Sequence, residues 1–194
     1  MLDLAHATDD RWAAGAVLHL DEILLEQAHL EKKAAAAALR FLFRYPDRVV
    51  FQAPLAALAR EELEHFELIL QQLQRRAVPF GRQHASPYAA EVLRVVRDQE
   101  PERLLDSFLC SALIEARSCE RMRLLGVALG AVDPELATLY RELVTSEARH
   151  HATYVRLAET EFPLAVVETR LREIAQHEAG VVARMPVMGR LHTA

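Results

Sequence analysis

Apolar residues recur three and four positions apart over four long stretches of this chain, and each stretch ends at a proline or a glycine. The first occupies 17–44 and stops at Tyr45, Pro46 and Asp47; the second occupies 54–76, the third 102–129 and the fourth 135–161. That period is the signature of amphipathic helices. Between the second and third stretches lie Pro79, Gly81, Pro87 and Pro101, which predict a connection with room for one short helix over 88–97. The turn from Gly130 to Pro134 separates the third and fourth stretches. Pro163 interrupts again, a fifth helix is expected over 164–183, and a tail with Pro186 and Gly189 follows.

Helix hairpin, long crossover, helix hairpin is the ferritin-like layout of a four-helix bundle, here with added short helices and a C-terminal helix. Composition agrees: aromatic residues make up 6% and glycine only 6 residues of 194, while Ala, Leu, Glu and Arg dominate. We therefore expect an all-α protein, and at this length one domain over 1–194.

The first residues lack the basic start and apolar run of a secretory signal, and no uninterrupted apolar stretch of about 18 residues occurs. A cytoplasmic protein without a membrane segment is expected. Cys110 and Cys119 share one helical stretch, so a straight helix holds them about 13 Å apart, beyond disulfide reach, and they read as packed thiols. The formal charge of −5 argues against a general attraction to nucleic acid, so any such contact must be a local patch. Of the 23 basic residues only Lys32 and Lys33 are lysines, and arginine is the better fork for phosphate.

The pattern Glu-x-x-His occurs at Glu62 and His65 and again at Glu147 and His150. Residues three apart share a helix face, so each pair could present a carboxylate and an imidazole to one ion. With 20 Glu and 9 His, chance supplies roughly one such pair, and a third does occur at Glu26 and His29. Symmetry about the turns separates signal from coincidence. Glu31 and Glu62 flank the Pro46 turn, 31 residues apart; Glu115 and Glu147 flank the Gly130–Pro134 turn, 32 residues apart. Each hairpin thus sets a lone Glu opposite a Glu-x-x-His at nearly the same height.

Facing agrees. Glu31 lies in line with Leu24, Ala28, Ala35 and Ala38, and Glu62 with Leu55, Leu58, Ala59, Phe66 and Ile69. Glu115 aligns with Phe108, Ala112, Cys119 and Met122, and Glu147 with Tyr140, Leu143, Val144 and Tyr154. Glu26 and His29 share a face with Glu22 and Lys33 and read as solvated. Four carboxylates buried on apolar stripes need cations to offset desolvation and mutual repulsion. Four carboxylates with two imidazoles suit a pair of iron or manganese ions, whereas structural zinc favours Cys and His. Glu62 and Glu147 are the expected bridging ligands, with Glu31 and Glu115 terminal. Salt bridges to Arg60, Arg117, Arg121 or Arg149 are the competing explanation. His151 reads as a neighbour of the site or a surface residue, and Tyr154, Phe41, Phe66, Phe108 and Met122 as core, the last four also as candidate channel lining.

The segments AHLEKKAA (28–35), REELEHFE (60–67), LIEARSCERM (113–122) and SEARHHATYVRLA (146–158) resemble the MiaE family of tRNA hydroxylases. RYPD at 44–47 and FGRQHASPYA at 80–89 extend the likeness over almost the whole chain. The resemblance implies a non-haem di-iron monooxygenase that uses dioxygen to hydroxylate the isopentenyl side chain of 2-methylthio-N6-isopentenyladenosine at tRNA position 37. It implies an external electron donor of reductase or ferredoxin type, and iron ligands at Glu31, Glu62, His65, Glu115, Glu147 and His150. No departure occurs among these six. A splayed base beside the anticodon is read by stacking and by Arg contacts to phosphate. Arg75, Arg76, Arg82 and His84 are the candidate contacts, although arginines at a helix C-terminus also complement the macrodipole. The alternatives are another ferritin-like di-iron protein, either a quinone-type hydroxylase or an iron- or peroxide-handling protein, and a metal-free interaction bundle.

Overall fold

In a computed structural model, which describes residues 2–9, 11–186 and 189–193, every regular element is helical. The order is α1 (Arg11–Leu18), α2 (Leu20–Arg44), α3 (Val49–Arg75), α4 (Tyr88–Val92) with a 3-10 turn over Leu93–Val95, α5 (Glu102–Leu129), α6 (Pro134–Glu161) and α7 (Leu164–Arg184). The chain divides into two compact units. One holds Leu18–Ala85 and Gly189–Leu191, the other Met1–Val17, Ser86–Met188 and His192–Ala194. No helix among the described residues is long and apolar enough to cross a membrane.

Two boundaries differ from the expected ones. A run beginning at residue 17 is instead α1 and α2, divided at His19, where the backbone leaves helical geometry. The second run, expected from residue 54, is α3, which begins at Val49 and carries Pro54 inside. Pro54 lacks the N–H that would bond the Val50 carbonyl, a loss of about 1 kcal/mol. Starting earlier buries Phe51 completely, worth about 1.5–3 kcal/mol, so the longer helix wins. The expected short helix over 88–97 ends early, at Val95. At the next boundary Pro134 opens α6 with Asp133 as its cap, whose Oδ1 accepts from the Leu136 N–H at 3.0 Å.

The unit of α2 and α3 is an antiparallel hairpin whose interior is built from Leu24, Ala28, Ala35, Ala38, Leu55, Leu58 and Ile69, all buried. Glu26, expected in solvent, is buried too. Leu191 donates its N–H to Glu26 Oε2 at 2.7 Å, and Arg190 lies 3.8 Å from Glu26 Oε1. A Cβ on Gly189 would stand 2.5 Å from His19 Cβ, so only glycine lets the tail lie this close to α2. Burial raises the Glu26 pKa, against the Leu191 N–H and Arg190.

In the other unit α5 and α6 pair closely, with Gly126 against Tyr140, and α7 packs beside them. Asp106, fully buried, receives Arg97 Nε at 2.8 Å and Arg170 Nε at 2.8 Å, tying the crossover and α7 to α5. Cys110 and Cys119 are buried free thiols, pushed up to about 12 and about 11 by burial, which fits inert packing. His192 lies stacked on Tyr88, ring centroids 4.5 Å apart, with Nε2 3.0 Å from Ser118 Oγ. Burial, with Arg121 and Arg117 nearby, holds its pKa down at about 3 against an ordinary 6.5. Between those two values the unfolded chain binds a proton that the folded chain refuses, so stability rises with pH by up to about 1.4 kcal/mol per unit. Denaturant titrations at pH 5, 6 and 7 should show a shallower slope for His192→Gln than for the parent; equal slopes would remove His192 from the acid sensitivity.

Candidate metal centre

In the α2–α3 hairpin, Glu31 on α2 meets Glu62 and His65 on α3. Each offers a ligand atom within 4.8 Å of the others, and all three are buried. His65 Nδ1 stands 3.8 Å from Glu62 Oε2. Gln27, one turn before Glu31 and fully buried, donates Nε2–H to Glu31 Oε1 at 2.9 Å and fixes that carboxylate's orientation. Gln27 escaped the reading from sequence, although a Gln four residues ahead of a Glu is a known helical pair.

The α5–α6 hairpin repeats the pattern. Glu115 on α5 meets Glu147 and His150 on α6, again with ligand atoms within 4.8 Å and all three buried. Of the arginines named as competing salt-bridge partners, Arg117 is bonded instead to Glu178 and Glu120. His151 is buried rather than on the surface: its Nδ1 lies 2.9 Å from the Ala112 carbonyl oxygen and its Nε2 3.1 Å from Asp3. The first ties α6 to α5 and the second ties α6 to the N-terminal segment, one residue past His150. Tyr154, Phe41, Phe108 and Met122 are core as expected, whereas Phe66 is half-buried against Phe80.

Each hairpin therefore places two carboxylates and one imidazole in a buried, sulfur-free cluster. Two carboxylates so close in low dielectric repel strongly unless protonated or bound to a cation. The donor chemistry, hard oxygens with one imidazole per trio, fits an iron or manganese ion and not a structural zinc. Among the expected nucleic-acid contacts, Arg82 and His84 are exposed on the segment after α3, while Arg76 Nε is held by Asp21 Oδ1 at 2.5 Å.

Helix order defines the class, a ferritin-like protein, and each trio is a buried carboxylate and histidine group that could hold a metal ion. A solved structure of Synechococcus described as protein 43 with aldehyde deformylating oxygenase activity has this fold, with TM-score 0.93, 39% identity, and coverage of 98% of this chain and 96% of the other. The model of the family described as tRNA-(MS[2]IO[6]A)-hydroxylase (MiaE) matches residues 2–193, and the chain belongs to that family. Two relatives carry the name tRNA 2-(methylsulfanyl)-N(6)-isopentenyladenosine(37) hydroxylase. That of Pseudomonas putida is 38% identical over 151 residues, 78% of this chain and 72% of its own length. That of Salmonella typhimurium is 38% identical over 128 residues, 66% of this chain and 46% of its own length.

Proposed function

We propose that this chain hydroxylates the isopentenyl side chain of 2-methylthio-N6-isopentenyladenosine at position 37 of tRNA, acting as one domain over 1–194. The observation that carries the reading is the family match over 2–193 in a chain whose two hairpins both hold the buried Glu and Glu-x-x-His trio. Glu31, Glu62, His65, Glu115, Glu147 and His150 would hold two iron ions, each hairpin supplying two carboxylates and one imidazole. Iron so bound supplies the two-electron activation of dioxygen, with one oxygen atom leaving in the alcohol and the other in water.

The protein's own groups set the conditions. Four carboxylates balance the charge of two dications, and Gln27 keeps Glu31 aimed through its 2.9 Å bond. The surrounding apolar residues exclude water, which limits loss of the oxidant to side reactions. Two electrons and two protons must arrive for each hydroxylation, so an external donor of reductase or ferredoxin type is required. Phosphate contacts are assigned to Arg75, Arg76, Arg82 and His84, and a tRNA substrate would place the protein in the cytoplasm.

A tRNA nucleoside profile tests this directly. Cells lacking the protein should accumulate the unhydroxylated methylthio-isopentenyl nucleoside, and restoring the gene should return the hydroxylated form; an unchanged profile would overturn the substrate. A second reading has one observation behind it, the aldehyde deformylating oxygenase activity by which the Synechococcus neighbour is described. Iron-loaded protein that removes the formyl group from an aldehyde while leaving tRNA untouched would favour it.

A further inference from the structure

The segment after α3 turns back over α2. His29 Nε2 lies 2.8 Å from the Gly81 carbonyl oxygen, and Gln83 Nε2–H donates to the Glu22 carbonyl at 3.3 Å. The fold-back sets Phe80 beside three side chains of the hairpin. Its ring stacks on His29 at 4.8 Å, meets Phe66 edge-on at 5.7 Å, and lies under Lys32, whose Nζ is 4.9 Å from its centroid and 5.6 Å from that of Phe66. Even so, Phe80 remains 42% exposed. A phenylalanine fixed by three neighbours, yet open to solvent, forgoes part of its burial energy.

Height along the helices gives this cluster its meaning. Lys32 follows the candidate ligand Glu31, and Phe66 follows His65, so both lie within about 1.5 Å of the ligand level along the helix axes. The isopentenyl group spans four bonds from the adenine N6 to its methyls, about 5 Å at bond lengths near 1.5 Å. Its purine must therefore sit within about one helical turn of the ligands. A second exposed apolar and basic patch of this unit stands at the α2–α3 turn with Phe43, Val49, Arg44 and Arg48; Phe43 and Arg44 lie 12 and 13 residues from Glu31, about 18–20 Å along the helix, too far to hold the reacting base.

We propose that Phe80 is a stacking platform for a nucleobase of the RNA substrate, with Lys32 and Arg82 as the cations that hold the adjoining phosphates. Bases splayed from a loop are held by stacking on aromatic rings and by basic side chains along the backbone. Lys32 and Lys33, the only lysines of the chain, both stand at this level, and Arg82 is exposed two residues after Phe80. Caging of Lys32 over two rings pre-orders its ammonium. The assignment rests on the reading that this chain acts on tRNA.

The test uses the iron-loaded full chain and tRNA purified from cells that lack it, so that the methylthio-isopentenyl base is present. Phe80→Ala should weaken tRNA binding roughly ten- to a hundredfold, with the loss falling on KM rather than kcat and with iron content and helicity kept. Phe80→Trp should restore binding and add to the emission of Trp12, the chain's own tryptophan, a component that tRNA quenches, while Lys32→Gln should lower the salt slope of binding by about one. Parental affinity in Phe80→Ala, unquenched emission in Phe80→Trp, or a changed oligomeric state with unchanged tRNA affinity would each overturn the platform. Failure of the parent chain to bind or hydroxylate tRNA would instead strike at the functional reading itself.

Discussion

Glu115→Ala should lose most of its bound iron while keeping its helices. Metal analysis should fall from about two ions per chain to below one, and tRNA hydroxylation should drop by roughly a thousandfold, because removing even a residue that merely supports a ligand costs 10–100-fold in such sites. The metal-free variant carries a second expectation, which a structural role would not meet. Glu115 shares its buried cluster with Glu147, ligand atoms within 4.8 Å, so without metal the two carboxylates repel and their desolvation opposes folding. Metal-free Glu115→Ala should therefore melt no lower than the metal-free parent. A large loss of stability in the absence of iron, with iron content unchanged, would show that Glu115 is a structural ion-pair partner and not a ligand.

Why the trios could be read from sequence while other polar clusters could not is a matter of range. Glu62 and His65 lie one turn apart on a helix, and the partner glutamate is fixed by an antiparallel hairpin with a short turn, so spacing alone determines the height. The apolar stripes around Glu31 and Glu115 confirm facing, and their members Leu24, Ala28, Phe108 and Ala112 are all buried. Glu26 defeats the same logic. Its burial comes from Arg190 and Leu191, 164 and 165 residues away, in a tail without periodicity. Phe80 was equally hidden, because its partners His29, Lys32 and Phe66 are brought to it by a fold-back that Pro79 and Gly81 permit but do not specify. The 102–129 helix was legible to the residue, since Pro101 and Gly130 bracket it; α3 was not, because proline marks a favourable start without forbidding an earlier one.

Two residues along α5 from Glu115, and about 200° around it, Arg117 makes the opposite prediction. It is fully buried and bonds Glu178 through Nε at 2.9 Å and Nη2 at 2.8 Å, while Nη1 reaches Glu120 and Thr8 and Nη2 also reaches the His6 carbonyl. Glu178, itself fully buried, also accepts from Tyr88 Oη at 2.8 Å. Arg117→Met should cost about 3–5 kcal/mol, since it strands Glu178 and Glu120 as buried carboxylates without their cation. For a chain of this size that is roughly 6–20 °C in melting temperature. Adding Glu178→Leu should recover part of the loss, because an apolar pair needs no compensation, although Tyr88 then lacks its acceptor. Thr8 and the His6 carbonyl are held by the same guanidinium, so the N-terminal segment should also become a site of early proteolysis in Arg117→Met. Iron content should stay at the parental value under conditions where the variant is folded. Metal loss with intact stability at Glu115, and stability loss with intact metal at Arg117, would separate the two faces of α5; depletion of iron in folded Arg117→Met would show that the ion-pair network also supports the ligands.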